Sequence, residues 1–412
     1  MGTPAKRIEL HIDTGSSDLW VNTPSSALCE QSSNPCRFSG TYTANSSSTY
    51  EYIGSYFNIS YVDGSGASGD YVSDVVNVES ARLDRLQFGI GYSSSNSQGI
   101  LGIGYAINEV QVGRAGLGPY NNLPAQMVAD GIIQSNAYSL WLNDLDAATG
   151  ILLFGGVDTE KYQGSLQTLP VQNGGGDIFA EFMITLTGLK LGTTTIGTEN
   201  QALAVLLDTG SSLTYLPDDM VSQIFDLVSA QYDSEAGAAY VPCSLANDNT
   251  NKLEFTFSGP KIVVDMNELV LDLVTNSGNK PTFRNGVPAC LFGIAPAGSG
   301  TNVLGDTFLR SAYVVYDLDN NQISLAQTKF NTSASNPVEI GKGKGAVPNA
   351  TLVRNPVTAT AGVTSRSGGN GGGPLGGLGG LSSSASRFGS MSVVVGVAVS
   401  VALGAAGVLS LV

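Results

Sequence analysis

Along most of the chain the apolar positions come in short runs broken by Gly, Ser, Thr and Asn. The runs are rich in Val, Ile and Tyr and the breaks are turn formers, so the pattern predicts short strands joined by tight turns. Helical spacing is rare: Met220 to Val228 and Pro124 to Gly131 are the best candidates, and each is short. The fold class read from this pattern is mainly β. From Asn331 apolar alternation fades and Ser, Thr, Asn and Gly take over; Gly368 to Gly380 is close to a glycine tract. Such a stretch buries too little apolar surface to order itself, so residues 331–390 read as a flexible stalk. The last 22 residues, Met391 to Val412, carry no charge.

One short pattern occurs twice. Asp-Thr-Gly-Ser-Ser stands at Asp13 to Ser17 and again at Asp208 to Ser212, each time after apolar residues (Ile12; Leu206 and Leu207). Each copy reads as a buried strand ending in a turn that presents a carboxylate. Two such units imply two pseudo-symmetric lobes, residues 1–168 and 169–330, with Asp13 and Asp208 meeting between them. Two carboxylates forced together do not both ionise easily. One then serves as acid and the other as base, which is what activating a water requires. An Asp before Thr-Gly also caps turns as a purely structural residue, and the repetition argues against that reading.

Further motifs surround the pair in a fixed order. Trp20 follows Asp13, and Ser60-Tyr61-Val62-Asp63-Gly64-Ser65-Gly66 reads as a hairpin. Gly99-Ile100-Leu101-Gly102 is matched by Val303-Leu304-Gly305-Asp306, and Phe154-Gly155-Gly156-Val157-Asp158 lies between. This set resembles the pepsin-type aspartic endopeptidases over nearly all of residues 2–330, and most of all the fungal GPI-anchored yapsin-like members. The resemblance implies the bilobal acid-protease fold, hydrolysis of polypeptide substrates at acid pH, pepstatin-like inhibitors, a monomer, and no cofactor or metal. It implies Asp13 and Asp208 as catalytic pair, with Thr14 and Thr209 bracing the opposite lobe's backbone. Gly15 and Gly210 would let backbone approach the carboxylates, and Ser16 and Ser211 would hydrogen-bond their outer oxygens. Tyr61 corresponds to the flap tyrosine near the Trp20 indole, on a hairpin that includes Gly64; the family commonly has Gly where Val62 stands.

Asp63, at the flap tip beside the pocket for the residue before the scissile bond, is expected to accept a substrate Lys or Arg; a solvated turn Asp is the equal alternative. His11, the only His, shares a strand face with Asp13. It either lines the cleft or packs as a neutral residue. Asp306 takes a lobe-stabilising role. In the family the Gly-Thr-Pro triplet follows an initial strand, so this sequence is expected to lack a leader, a propeptide and that strand. A catalytically silent peptide binder or cell-wall scaffold of the same fold is the alternative function.

Charge and cysteine add location. Residues 1–330 carry 14 basic and 33 acidic residues, residues 331–412 carry 5 and 1. An acidic body argues against nucleic acid as a partner. The four Cys lack a Cys-x-x-Cys or His cluster, so zinc is not expected. Four Cys allow three pairings. The lobe-local one, Cys29–Cys36 with Cys243–Cys290, is taken here in agreement with the family pattern and points to an oxidising compartment. Sequons at Asn45, Asn58, Asn331 and Asn349 point along the same secretory route. The uncharged tail ends the sequence without a basic anchor and follows small residues and a polar spacer. That is the layout of a GPI signal, with attachment at Ser382 or Ser383; the alternative is a tail-anchored helix. Membrane contact is expected through the lipid only, at the outer face of the plasma membrane or in the wall.

Overall fold

The computed structural model describes residues 1–173, 178–198, 200–274, 279–362 and 392–397. Its short strands form two lobes over a shared sheet. In the first lobe six strands lie in the order Leu10–Asp13, Gly99–Gly102, Leu19–Asn22, Ala81–Ser94, Gly66–Val78 and Glu51–Ser60. The strand ending at Asp13 runs parallel to Gly99–Gly102, which lies antiparallel to Leu19–Asn22. The second lobe repeats the device. Leu203–Leu207, ending just before Asp208, runs parallel to Val303–Leu304, and Thr214–Leu216 lies antiparallel to Val303. All of Leu203–Leu207 is buried, which is why the run is apolar throughout, as a strand covered on both faces is.

The shared sheet orders Ala350–Leu352, Tyr162–Pro170, Gln322–Thr328, Ala312–Asp317, Ala137–Trp141, Thr149–Phe154 and Ser392–Val397. It takes strands from both halves of the chain. The boundary expected at residue 168 therefore falls inside the strand Tyr162–Pro170, which pairs with Gln322–Thr328. A sheet, not a linker, joins the lobes there. Met220 to Val228 lies in the helix Asp218–Val228, which buries Met220, Val221, Ile224 and Val228 along one face. The second helical segment is Leu123–Ala129. Disulfides join Cys29 to Cys36 and Cys243 to Cys290.

The expectation of a flexible stalk from Asn331 fails over its first part. Residues 331–362 form a strap bound to the body. Pro337–Glu339 pairs with Gly156–Asp158, Ala350–Leu352 runs parallel to Leu166, Gln167 and Thr168, and Ala361 bridges Leu203. Ile340 and Val347 are buried against Trp141, Val157, Tyr162 and Tyr313. Lys161 lies over the Trp141 ring and donates to the Thr332 carbonyl at 2.9 Å. Asp158 accepts from Ser335 Oγ and the Asn336 N–H. A few apolar side chains spaced far apart, together with backbone pairing to edges of the body, order a segment whose composition alone reads as disordered. The candidate attachment residues Ser382 and Ser383 lie outside the described residues. Of the tail, Ser392–Val397 is described, as a strand parallel to Thr149–Phe154. No helix among the described residues is long and apolar enough to cross a membrane.

The strap should carry measurable stability. Ile340→Ala is expected to cost about 2–4 kcal/mol through the cavity it leaves, read as a lower denaturant midpoint. An unchanged midpoint would show that the strap only decorates the body.

Candidate active site

Both Asp-Thr-Gly turns leave their strands at the interface of the lobes, where each threonine binds the opposite lobe. Thr14 Oγ1 donates to the Leu207 carbonyl at 3.0 Å and accepts from the Thr209 N–H at 3.0 Å. Thr209 Oγ1 donates to the Ile12 carbonyl at 2.8 Å and accepts from the Thr14 N–H at 3.1 Å. The four backbone groups are thus satisfied by two hydroxyls in a buried interface, where each orphan would cost about 1–3 kcal/mol.

The brace brings Asp13 and Asp208 together, 4% and 9% exposed. Glycine is obligatory beside them. A Cβ on Gly15 would stand 2.5 Å from Asp208 Oδ1, and one on Gly210 would stand 2.6 Å from Asp13 Oδ1. The hydrogen bonding repeats in each lobe. The Gly15 N–H and Ser16 Oγ donate to Asp13 at 2.8 and 2.5 Å, the Gly210 N–H and Ser211 Oγ to Asp208 at 2.8 and 2.7 Å. Burial raises both carboxyls. For Asp208 the charge of Asp13 adds to burial and the group is pushed up to about 7; for Asp13 the donors, Asp208 among them, oppose the rise. Burial and the like charge of the partner thus disfavour ionisation of both carboxyls at once.

The flap crosses above. The Trp20 Nε1–H donates to the Tyr61 hydroxyl at 2.8 Å. That hydroxyl also meets Ser16, the partner of Asp13. At the tip the Gly64 N–H closes a turn on the Tyr61 carbonyl at 3.1 Å, and Gly64 takes φ +81°. Val62 is not among the positive-φ residues, so a β-branched side chain fits where the family commonly has Gly. Asp63 Oδ1 accepts from the Ser65 N–H at 2.8 Å, and its side chain is exposed. His11 is exposed, on a strand in register with Ile100, so the packed alternative does not describe it. Asp306 lies closer to the chemistry than a lobe-stabilising role suggests. Burial pushes it up to about 6, Arg310 and His11 oppose the shift, and the charge of Asp208 adds to it.

Three residues were not singled out by sequence. Tyr215 stands as far after Asp208 as Trp20 stands after Asp13. Burial, then the charges of Asp208 and Asp63, hold its phenol high, and its strand Thr214–Leu216 lies antiparallel to Val303. The internal repeat itself was the signal. Asp18 is buried and accepts from Tyr71 OH at 2.6 Å, Tyr120 OH at 3.0 Å and the Val110 N–H at 2.8 Å. Its signal was an acid directly before the apolar run Leu19-Trp20-Val21. Glu109, equally buried, accepts from the Tyr120 N–H; burial pushes it up to about 9. Nothing in its sequence context marks it.

Residues 1–328 match the family model for eukaryotic aspartyl protease. The chain belongs to that family, and its fold and paired aspartates are those of a pepsin-type aspartic peptidase. It is 56% identical over 379 residues to a probable aspartic-type endopeptidase, opsB, of Aspergillus oryzae, covering 91% of this chain and 76% of that protein. It is 53% identical over 373 residues to the OPSB endopeptidase of Arthroderma benhamiae, covering 89% and 75%. Secreted aspartic protease 1 of Candida albicans is 40% identical over 345 residues, covering 82% and 81%.

The buried acids link stability to pH. Each has a folded pKa raised above its unfolded value, so the unfolded chain ionises first as pH rises. Stability is fullest below the ordinary carboxyl range and falls through the folded values of about 6, 7 and 9 for Asp306, Asp208 and Glu109. Thermal unfolding is expected to shift down steadily from pH 5 to 9, and Glu109→Gln to flatten the upper part. A midpoint independent of pH, or a Gln variant with the same slope, would contradict this account.

Proposed function

We propose that the chain is an aspartic endopeptidase acting in acid, with Asp13 and Asp208 as its catalytic pair. The observation that carries the reading is the mutual burial of two carboxylates, each held by its own glycine N–H and serine hydroxyl; together they retain one proton. A water between them loses its proton to ionised Asp13 as it attacks the scissile carbonyl, while Asp208 protonates the carbonyl oxygen. The tetrahedral diol collapses as Asp13 passes its proton to the leaving nitrogen and Asp208 takes one back from a diol hydroxyl, which breaks the C–N bond and restores the pair. General acid–base steps of this kind contribute about 10²–10⁴-fold. Tyr61 closes over the peptide, with Trp20 fixing its hydroxyl.

Activity requires the singly protonated pair. It rises as Asp13 ionises and falls as pH passes about 7, where Asp208 loses its proton. Asp208→Asn should lower kcat by at least about 10²-fold, and pepstatin should abolish cleavage of a mixed peptide pool between pH 3 and 7. No cleavage by a demonstrably folded chain at any pH would favour the silent peptide-binding scaffold instead.

Asp63 and location are the finer parts of the reading. An exposed carboxylate in the turn at the end of the hairpin supports acceptance of Lys or Arg before the scissile bond. Asp63→Ser should lower the Lys-over-Leu preference about two- to five-fold, the usual worth of a partly exposed ion pair; an unchanged ratio removes Asp63 from specificity. The four sequon asparagines are exposed, and two disulfides with a secreted relative support a secretory route. The uncharged tail supports lipid anchoring through Ser382 or Ser383, a step that removes Ser392–Val397 and leaves Thr149–Phe154 as the edge of the shared sheet. The strap ends on Leu203 and Ala204, at the end of a strand whose other end leads into Asp208. A tether leaving there holds the cleft away from the membrane.

A further inference from the structure

We propose that Asn58 carries an N-linked glycan whose core is seated in the groove between the flap hairpin and the helix Val110–Ala115. The inference rests on the secretory reading above. Asn58 lies on the strand Glu51–Ser60, opposite Ser68 of the partner strand. It is exposed and opens the sequence Asn58-Ile59-Ser60. It also lines an open groove of about 440 Å³ with Ser55, Tyr56, Ser68, Gly69 and Arg114. That volume is in the range of about 300–1,000 Å³ that receives ligands the size of two N-acetylhexosamine units.

The walls have the chemistry of a saccharide site. Arg114 reaches from the helix to donate to Ser60 Oγ at 3.1 Å, one of the guanidinium's five donors. Just outside the lining, the Tyr92 ring stands beside Gly69, 2.9 Å from where a Cβ would be, and is 44% exposed. Asp70 accepts from Ser55 Oγ at 2.6 Å and Tyr92 OH at 2.7 Å, and a carboxylate has further lone pairs to offer. A pyranose presents apolar C–H faces and a rim of hydroxyls. Its face lies on Tyr92 while its hydroxyls and acetamide bind Asp70 and Arg114. The strand that carries Asn58 runs straight into Tyr61, so a sugar held by both hairpin and helix ties the outer strand of the flap to the body.

The test uses the full chain secreted by a filamentous fungus. Deglycosylation in heavy-oxygen water followed by peptide mapping reads occupancy, with Asn58 expected to be occupied. Peptide N-glycosidase acting on the folded chain should release the Asn58 glycan about tenfold more slowly than from folded Arg114→Ala, the protection given by one or two hydrogen bonds. Tyr92→Ala, just outside the lining, should accelerate release similarly; both side chains are exposed, so neither change threatens the fold. Equal release rates in all three proteins overturn the seating. Bare Asn58 on a chain glycosylated elsewhere overturns the inference alone, and a secreted chain bare at all four sequons overturns the secretory reading with it.

Discussion

Holding two carboxylates together in a buried interface is the constraint on which the rest of this structure depends. An ionised group without compensation is expensive to bury, and two of like charge in contact are worse. Here the cost is met on three sides. On the proposed reading one proton is shared; each outer oxygen receives a serine hydroxyl, and each inner oxygen receives a glycine N–H. The Thr14 and Thr209 brace then fixes the two turns relative to each other through backbone groups at the ends of two strands. Strand ends placed so closely require their sheets to be in register, which the shared sheet of strands from both halves supplies.

That constraint also explains what was legible in the sequence. The paired turns were readable because the chemistry leaves no freedom: Asp for the charge, Thr for the brace, Gly because a Cβ would strike the opposite carboxylate. The flap was readable for a similar reason, since Tyr61, Trp20 and Gly64 each meet a single geometric demand. The strap was not. Ile340 and Val347 are separated by polar and glycine residues, and their partners Trp141, Val157 and Tyr313 lie far away in the chain. No local period reports such packing. The lobe boundary failed likewise, because Tyr162–Pro170 becomes a shared strand only through Gln322–Thr328. Glu109 gave no signal because its burial comes from tertiary neighbours alone.

Under the proposed mechanism, activity and stability are pulled the same way by pH. That mechanism needs the proton on Asp208, while Asp18, Glu109 and Asp306 are buried at positions where ionisation is penalised. An acidic body adds general repulsion as carboxylates ionise. On the proposed reading a neutral medium weakens fold and chemistry together.

Asp18 shows how the flap is joined to this scheme. The segment that presents Asp13 continues directly to Asp18, whose carboxylate holds Tyr71 of the flap's inner strand, Tyr120, and the N–H of Val110 at the start of the short helix. The flap base, the helix and the catalytic turn are thereby parts of one hydrogen-bonded unit. Beyond Tyr71 the hairpin narrows to the paired stretch from Phe57–Gly69 to Ser60–Gly66, whose end is met by Trp20 at Tyr61, Arg114 at Ser60, Asn96 at Ser65 and Ser95 at Gly66. None of the four brace bonds involves a hairpin residue, so under the proposed mechanism bending of the hairpin above Tyr71 admits a peptide and leaves the brace intact.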